Sequence, residues 1–297
     1  MIELRPTRES DAAAVVALMR TADDTRVVSE PGVVHNWRTQ PAEARALDLV
    51  AVEGDRVLAR GAAGLNTWTS TPGAAWANVI VAPERRREGI GPRLGSALID
   101  HLRAQDAVKA TAFVRQTDEA ERWARERGWQ RVINGLLIGV DPRRIAEPEL
   151  PDGFRCVPFS ELEPKAVYET MCDAALDEPN AVPNDRIELA EFEREWEDPD
   201  IDLHSSVAVL DGDRVVSFSI LKVAGDRGQH GFAGTASDYR GRGLATAAKR
   251  AALRAAAGRG VQRVTTSNAE ENAAMRHINR QLGFEPVGHV VILARDL

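Results

Sequence analysis

The chain has 297 residues, of which 43% are hydrophobic, so it is long and apolar enough for one large domain or two ordinary ones. Its formal net charge of −7 argues against nucleic acid as the main partner, and no apolar run reaches membrane-spanning length. The start MIELRPTRES lacks the basic and apolar segments of a signal peptide, and the two cysteines have no metal-binding or redox spacing. We therefore expect a cytoplasmic protein that neither enters membranes nor holds a metal.

Hydrophobic patterning in the first half of the chain predicts helices mixed with strands. A strand, a helix and an irregular helical stretch precede the hairpin sequence AVEGDRVLARGAA, and a third strand reads AAWANVIV. A basic loop with glycines then leads into a helix over residues 90–103. The strand VKATAFV, a helix ending at Gly128 and closing strands follow.

The second half of the chain repeats this order at a spacing of about 150 residues. Gly89 corresponds to Gly243 in the basic loops, and Asp55 corresponds to Asp213 in the hairpin turns. Four such landmarks at a nearly constant spacing indicate a duplicated domain.

The stretch DPRRIAEPELPDG, residues 141–153, is typical of a linker because it combines three prolines with many charges. We therefore predict two domains, residues 1–145 and 150–297. Each is predicted to be an α/β (α+β) fold with a mixed, mainly antiparallel central sheet flanked by helices.

A basic loop with glycines at the start of a helix is typical of an anion site. Glycines let the backbone approach a ligand, the free N–H groups of the first turn point at it, and arginines suit phosphate oxygens. We therefore expect a phosphorylated ligand, and specifically a pyrophosphate. The P-loop pattern is absent, and a Rossmann fingerprint would need its first glycine directly after the strand.

The loops resemble the acetyl-CoA site of the GCN5-related N-acetyltransferase (GNAT) family, whose pattern is Arg/Gln-x-x-Gly-x-Gly/Ala. The first copy has RRREGIG after Val-Ala-Pro, and the second has YRGRGLA after the divergent Thr-Ala-Ser. Further on, NAEENAAMRHINRQLGF resembles the family's Asn-x-x-Ala segment that ends in Gly-Phe. The resemblance covers essentially the whole chain twice, and a tandem arrangement of this kind is similar to several actinobacterial acetyltransferases.

The resemblance implies that acetyl-CoA (coenzyme A) is the cofactor, with strand ends bonding its acetyl and pantetheine groups and loops holding its pyrophosphate. In the first copy the implied residues are Val79, Ile80, Val81, Arg86, Arg87, Glu88, Gly89, Ile90 and Gly91. In the second copy they are Gly234, Thr235, Ala236, Arg240, Gly241, Arg242, Gly243, Leu244, Ala245, Asn268 and Asn272.

The implied reaction is direct attack of an amine on the thioester, which needs positioning, proton removal and oxyanion stabilisation. A tyrosine of the family that protonates the departing thiolate is replaced by Ala124 in the first copy and by Asn279 in the second. The catalytic candidates are therefore His230, on the second copy's third strand, and Asn279. The ordinary pKa of histidine suits proton transfer near neutral pH.

An acidic segment favours the second copy as the catalytic one. Residues 177–202 contain eleven acidic residues against two arginines, whereas residues 21–47 of the first copy have no such bias. An acidic rim would attract a cationic amine. The other interpretation is a solvated helix face. The first copy could then bind acetyl-CoA without turnover or serve as a scaffold.

We therefore expect an acetyl-CoA-dependent N-acetyltransferase that acts on the primary amine of a small cationic acceptor. Duplication predicts a monomer that is a pseudo-dimer, or a homodimer. The alternatives are a non-catalytic acyl-CoA-binding or sensing protein, a nucleotide-binding oxidoreductase, and an enzyme like mycothiol synthase. The last is disfavoured because Asn279 stands at the tyrosine position.

Overall fold

A computed structural model describes residues 1–177 and 180–297 of the chain. The chain folds into two structural units. The N-terminal unit comprises Met1–Asn134 together with His289–Leu297, and the C-terminal unit comprises Gly135–Gly288. The units therefore do not follow the halves of the sequence, because each includes part of a strand from the other half. The domain bounds 1–145 and 150–297 remain a prediction about the duplicated sequence.

The chain forms twelve strands and eight α-helices within the described residues. The strands are β1 (Glu3–Pro6), β2 (Leu47–Glu53), β3 (Arg56–Leu65), β4 (Ala74–Val81), β5 (Lys109–Arg115), β6 (Gln130–Val140), β7 (Phe154–Pro158), β8 (Val207–Asp211), β9 (Arg214–Ala224), β10 (Arg227–Thr235), β11 (Arg263–Ala269) and β12 (Glu285–Asp296). The helices are α1 (Ala12–Ala22), α2 (Glu30–Thr39), α3 (Ile90–Ala104), α4 (Asp118–Arg125), α5 (Pro164–Ala175), α6 (Leu189–Trp196), α7 (Leu244–Gly258) and α8 (Ala273–Gln281).

The sheet of the N-terminal unit has the order β1-β2-β3-β4-β5-β12. Its neighbours are antiparallel except for β4 and β5, which pair in parallel. This parallel ladder runs only from Ala74↔Lys109 to Trp76↔Thr111, while β4 continues to Val81. The two strands therefore diverge beyond Trp76.

The sheet of the C-terminal unit repeats this pattern with the order β7-β8-β9-β10-β11-β6. The parallel ladder between β10 and β11 runs from Arg227↔Arg263 to Gln229↔Thr265. The register of β10 against β9 then shifts between His230 and Ala233, which is a bulge. The predicted mixed, mainly antiparallel sheet in each half is confirmed.

Helices α3 and α7 pack on the sheets of their units through faces with helical spacing. In α3 the buried side chains are Ile90, Leu94, Leu98, Ile99 and Leu102. In α7 they are Leu244, Ala247, Ala248, Lys249, Ala252, Leu253 and Ala256. Repeats of three and four residues place these side chains on one face of each helix. Lys249 is the one charged residue among these buried side chains of α7, and the others are aliphatic.

The predicted linker, residues 141–153, lies within the C-terminal unit and is bound along α7. Arg254 Nη1 donates a hydrogen bond of 2.9 Å to the carbonyl of Ile145, whose side chain is buried. Arg250 forms an ion pair of 3.2 Å with Glu149. This segment is therefore packed against the C-terminal unit and is not a free linker.

Among the described residues, no helix is long and apolar enough to cross a bilayer.

Gly234 on β10 lets α5 approach the sheet, and this predicts a specific destabilised variant. A Cβ at Gly234 would lie 2.3 Å from Cβ of Ala174 and 3.1 Å from the Phe218 ring. We expect Gly234→Ala to lower the free energy of unfolding by about 1–3 kcal/mol, because overpacked cores must shift their backbone. Chemical denaturation measures this.

The matched control is Gly231→Ala on the same strand, whose Cβ would meet nothing closer than 3.8 Å. Adding Ala174→Gly to Gly234→Ala should cost less than the sum of the two single changes. An equal effect of the two glycine substitutions would contradict the packing role of Gly234.

Candidate functional site

A polar cavity of about 110 Å³ lies in the C-terminal unit where β10 and β11 diverge. Its walls come from the bulge of β10, from β11, from α7, from the start of α8 and from the end of α5. The lining residues are Ala174, Asp177, His230, Gly231, Phe232, Ala233, Lys249, Thr266, Ser267, Asn268, Asn272 and Met275. The bulge bends β10 away from its parallel neighbour, so the cavity follows directly from the register shift.

The start of α7 has the backbone geometry that the predicted anion site requires. Gly241 and Gly243 have φ angles of 78° and 80°, and a Cβ at either would meet no atom within 4 Å. Both glycines are therefore needed for left-handed backbone rather than for packing. No described side chain caps α7, whereas Asn272 caps α8 by accepting from the Met275 N–H. The first N–H groups of α7 are thus left for a ligand.

Two arginines of the loop are held in defined positions. Arg240 forms an ion pair of 2.6 Å with Asp177, and its Nε donates to the carbonyl of Thr235. Arg242 donates to the carbonyl of Asp238 and lies over the Tyr239 ring at 4.7 Å. The sequence did not indicate Tyr239 as a support, although it directly precedes the loop.

The other predicted cofactor residues around this loop contribute mainly backbone. The side chains of Leu244 and Ala236 are buried in the core, so only their main-chain groups remain for a ligand. Thr235 Oγ1 lies 2.9 Å from Ser217 Oγ, and Gly234 accepts from the same hydroxyl. Ala245, in the first turn of α7, is half-buried.

The buried Asn279 pairs with the half-buried Asn268 beside the cavity. Asn279 is 1% exposed and donates from Nδ2 to Oδ1 of Asn268, and its own Oδ1 has no partner among the described residues. This bond leaves the amide N–H groups of Asn268 for the cavity that Asn268 lines. An amide has no ionisable proton, so this geometry gives Asn279 a positioning role. Its assignment as catalytic remains a prediction.

His230 lies in the cavity wall as a buried side chain. Its Nε2 is 2.8 Å from Ser219 Oγ, and Thr266 donates to its backbone carbonyl. Burial, and secondarily the nearby Lys249, hold the pKa of His230 well below its ordinary value. The imidazole is therefore neutral at neutral pH, which is the form that can accept a proton. Its catalytic role remains a prediction.

Lys249 is a site residue that the sequence analysis missed. It is 1% exposed and lines the cavity, and its Nζ lies 3.7 Å from Met275 Sδ and 5.5 Å from the centre of the Phe284 ring. Burial lowers the pKa of Lys249 to about 7. Helical spacing was the available signal, because Lys249 lies on the same face as Leu253 and Ala252.

The corresponding loop of the N-terminal unit is neutralised by its own carboxylates. Arg86 and Arg87 lie 3.2 Å and 3.5 Å from Glu119 of α4, and Arg85 pairs with Glu88. Gly89 keeps a positive φ of 78°. Two arginines of this loop are therefore paired with one carboxylate, whereas in the second loop Asp177 pairs with Arg240.

The remaining predicted residues of the N-terminal unit lie in its core or beside Trp123. Val79 and Val81 pack against the cluster of Ile90 and its neighbours, and Ile80 packs against the α1–α2 cluster. A Cβ at Gly91 would lie 3.6 Å from the Trp123 ring, so this indole covers the first turn of α3. The loop geometry resembles that of the C-terminal unit, but its surroundings differ.

The acidic segment is in large part structural. Asp198, 4% exposed, pairs with Lys222 at 2.6 Å, and Asp202 pairs with Arg259 at 2.8 Å. Glu191 pairs with Arg194 at 3.3 Å. Asp177 lines the cavity, and Glu178 lies outside the described residues. The charge count of the sequence therefore overstates the acidic surface open to an acceptor.

Comparison with known protein families finds the same family twice along the chain. The model of the acetyltransferase (GNAT) family matches residues 18–129 and 168–284. A tandem GNAT protein from the clavulanic acid biosynthesis pathway is 21% identical, with a TM-score of 0.77 over 100% of this chain and 98% of that chain. A GCN5-related N-acetyltransferase from Sphaerobacter thermophilus is 18% identical, with a TM-score of 0.72 over 99% of this chain and 95% of that chain.

A third structure is a glucosamine N-acetyltransferase region of a fungal multi-domain β-N-acetylglucosaminidase. It is 14% identical, with a TM-score of 0.68 over 99% of this chain and 38% of that chain. No curated protein matches the sequence. At these identities the structures establish the fold alone, and the predicted pair of tandem folds is confirmed.

The buried ammonium of Lys249 predicts a pH-dependent gain in stability on its removal. The folded pKa of about 7 lies below the ordinary 10.5, so the unfolded chain binds more protons between these values and wild-type stability rises with pH. We expect Lys249→Met to raise the free energy of unfolding by on the order of 3–5 kcal/mol at pH 6. This gain should shrink towards zero near pH 10.5.

Denaturant titrations at several pH values measure the difference. Lys165→Met on α5 is the control, because that side chain is exposed and its ammonium stays in water when the chain folds. A gain for Lys249→Met that is the same at every pH would contradict a desolvated ammonium.

Proposed function

The chain belongs to the acetyltransferase (GNAT) family, and we propose that it is an acetyl-CoA-dependent N-acetyltransferase for the primary amine of a small cationic molecule. Members of this family generally use acetyl-CoA, so the open questions for this chain are its acceptor and its catalytic unit. We assign catalysis to the C-terminal unit.

One observation carries this assignment: the C-terminal unit combines an uncapped helix start with a polar cavity between diverging strands. The N–H groups behind Gly241 and Gly243 suit a pyrophosphate, with Arg240 and Arg242 beside them. The cavity lies against the bulge of β10, where backbone groups have lost their ladder partners. A ligand with a diphosphate at one end and a thioester at the other fits this combination.

The residues of the C-terminal unit supply positioning and proton transfer. Acetyl-CoA supplies the thioester, whose C–S bond breaks as the C–N bond to the amine forms. Neutral His230 can accept the proton that the amine loses. Asn268, oriented by Asn279, directs amide N–H groups into the cavity, where they can stabilise negative charge on the carbonyl oxygen.

The N-terminal unit lacks this combination in two respects. Arg86 and Arg87 both share Glu119, whereas in the C-terminal loop Asp177 pairs with Arg240, so a phosphate would have to displace a carboxylate from two arginines instead of one. The Trp123 indole lies against Gly91 at the start of α3. These contacts support a scaffold role for the N-terminal unit.

The acceptor is proposed to be cationic because Asp177, which pairs with Arg240, lines the cavity and further carboxylates of the acidic segment are close to it in sequence. Polyamines, amino sugars and antibiotic amines all carry such charge. The fungal structure described above is a glucosamine N-acetyltransferase region, so glucosamine belongs in any acceptor panel. The alternative of an acyl-CoA sensor is supported by the lack of a tyrosine at Asn279.

A glycine substitution distinguishes the two loops as CoA sites. We expect Gly243→Ala to weaken CoA binding at least about ten-fold, because an alanine at φ 80° strains the loop and shifts the N–H groups of α7. Calorimetric titration with CoA measures the affinity. Gly260→Ala is the control at the other end of α7, with a φ of 88° and equally open surroundings, so it imposes similar strain away from the ligand.

Gly89→Ala tests the N-terminal loop in the same assay. A greater loss of CoA affinity for Gly89→Ala than for Gly243→Ala would place the CoA site in the N-terminal unit and contradict the assignment.

Release of free thiol from acetyl-CoA tests the reaction itself. We expect release with at least one cationic amine from a panel of spermidine, glucosamine and an aminoglycoside, and we expect Gly243→Ala to reduce the rate about in proportion to its lost affinity. Mass spectrometry of the acceptor should show one added acetyl group. Tight CoA binding with no thiol release on any amine would instead support the sensor.

A further inference from the structure

Lys249 is the most unusual side chain of the cavity, because it is a cation buried in an apolar helix face. Burying its ammonium group costs free energy, because a charged group that leaves water without an anion beside it is disfavoured. A leucine or methionine would fill the same space between Met275 and Phe284. The proposed acetyl transfer, as derived above, makes no use of Lys249.

The hydrogen-bonding capacity of Lys249 is largely unused within the protein. An ammonium group has three donors, and the contact found for Nζ among the described residues is Met275 Sδ at 3.7 Å, a weak acceptor. No carboxylate of the described chain lies within ion-pair distance of Nζ. The nearby Asp177 pairs with Arg240 instead.

The cavity beside Nζ is polar and large enough for a ligand group. Its volume of about 110 Å³ exceeds what a single water molecule requires. Ser267 and Asn268 of β11 line it together with Lys249 and can donate hydrogen bonds, whereas the Thr266 hydroxyl already donates to the His230 carbonyl. A site with several donors and a buried cation is complementary to a carboxylate.

We propose that Lys249 binds a terminal carboxylate on the acyl group, so that the C-terminal unit prefers a dicarboxylic acyl-CoA over a neutral acyl-CoA of equal length. This inference rests on the proposed function, because it presupposes that a CoA thioester occupies the site. It changes the acyl group and not the reaction: the amine nitrogen bonds to the thioester carbon, the C–S bond breaks, and the proton of the amine ends on the CoA thiol.

Paired titrations with succinyl-CoA and butyryl-CoA test the proposal, since both acyl chains have four carbons and only one ends in a carboxylate. For the wild-type chain we expect succinyl-CoA to bind about ten- to a hundred-fold more tightly, as hydrogen bonds to charged groups imply. For Lys249→Met we expect this ratio of dissociation constants to fall to about one. That variant keeps the volume of the side chain, so it is expected to fold.

Proton uptake gives a second readout that a purely structural lysine would not move. Binding a carboxylate favours the ammonium form, so at pH 7.5 succinyl-CoA should take up more protons than butyryl-CoA, measured by calorimetry in buffers of different ionisation enthalpy. Among the described residues, the titratable groups facing the cavity besides Lys249 are His230 of β10 and Asp177 beyond α5, and the facing side chains of β11 and α8 do not titrate. The difference in uptake should vanish in Lys249→Met.

Each other outcome overturns the inference in a recognisable way. Equal affinity of the wild-type chain for the two esters means that Lys249 does not recognise a carboxylate. Equal weakening of both esters by Lys249→Met means that the ammonium contacts the pantetheine instead. Failure of every CoA ester to bind overturns the proposed function itself, and with it this inference.

Discussion

The early end of the parallel ladder between β10 and β11 is the constraint on which the C-terminal site depends. Three residue pairs hold these strands together, and the bulge after His230 then turns β10 away. Beyond that point β10 still pairs with β9, but its backbone groups on the β11 side have no ladder partner and remain for a ligand. Gly234 supports the same arrangement from the other side, because the absence of its Cβ lets α5 close the cavity. Strand divergence, cavity and helix start are therefore parts of one local structure.

The two units show that one backbone design can lead to different sites through a few charges. Gly89 and Gly243 both begin a helix with a left-handed φ, yet Glu119 meets the arginines of the first loop while Asp177 alone meets Arg240 in the second. An internal carboxylate competes with a phosphate for the same guanidinium groups, so we expect Glu119 of α4 to weaken anion binding at the first loop. The two similar folds thus differ in the ion pairs around their loops.

Much of the fold and of the predicted phosphate loop could be predicted from the sequence, because these features depend on residues close together in the chain. The start of α3 and the hairpin between β2 and β3 depend on short-range geometry, and their predicted positions agree within one or two residues with the structure. The unit boundaries could not be predicted, because the placement of residues 289–297 in the N-terminal unit depends on pairing between β12 and β5. Contacts between distant residues, such as Arg86 with Glu119 or Asn279 with Asn268, leave no local pattern either. Lys249 was predictable in principle, since the 3.6-residue period places it on the buried face of α7.

The burial of Lys249 connects the stability of the C-terminal unit with its ligand chemistry. A folded chain that holds a desolvated ammonium is less stable at neutral pH than one with an apolar side chain there, and a bound carboxylate would recover that loss by restoring the charged form. Burial lowers the pKa of His230, and Lys249 lowers it further, because two positive charges side by side repel each other. An anionic acyl group would offset this repulsion and raise the pKa of both groups. The charge of the acyl group would therefore set not only its affinity but also the protonation state of the residue proposed to accept the proton of the amine.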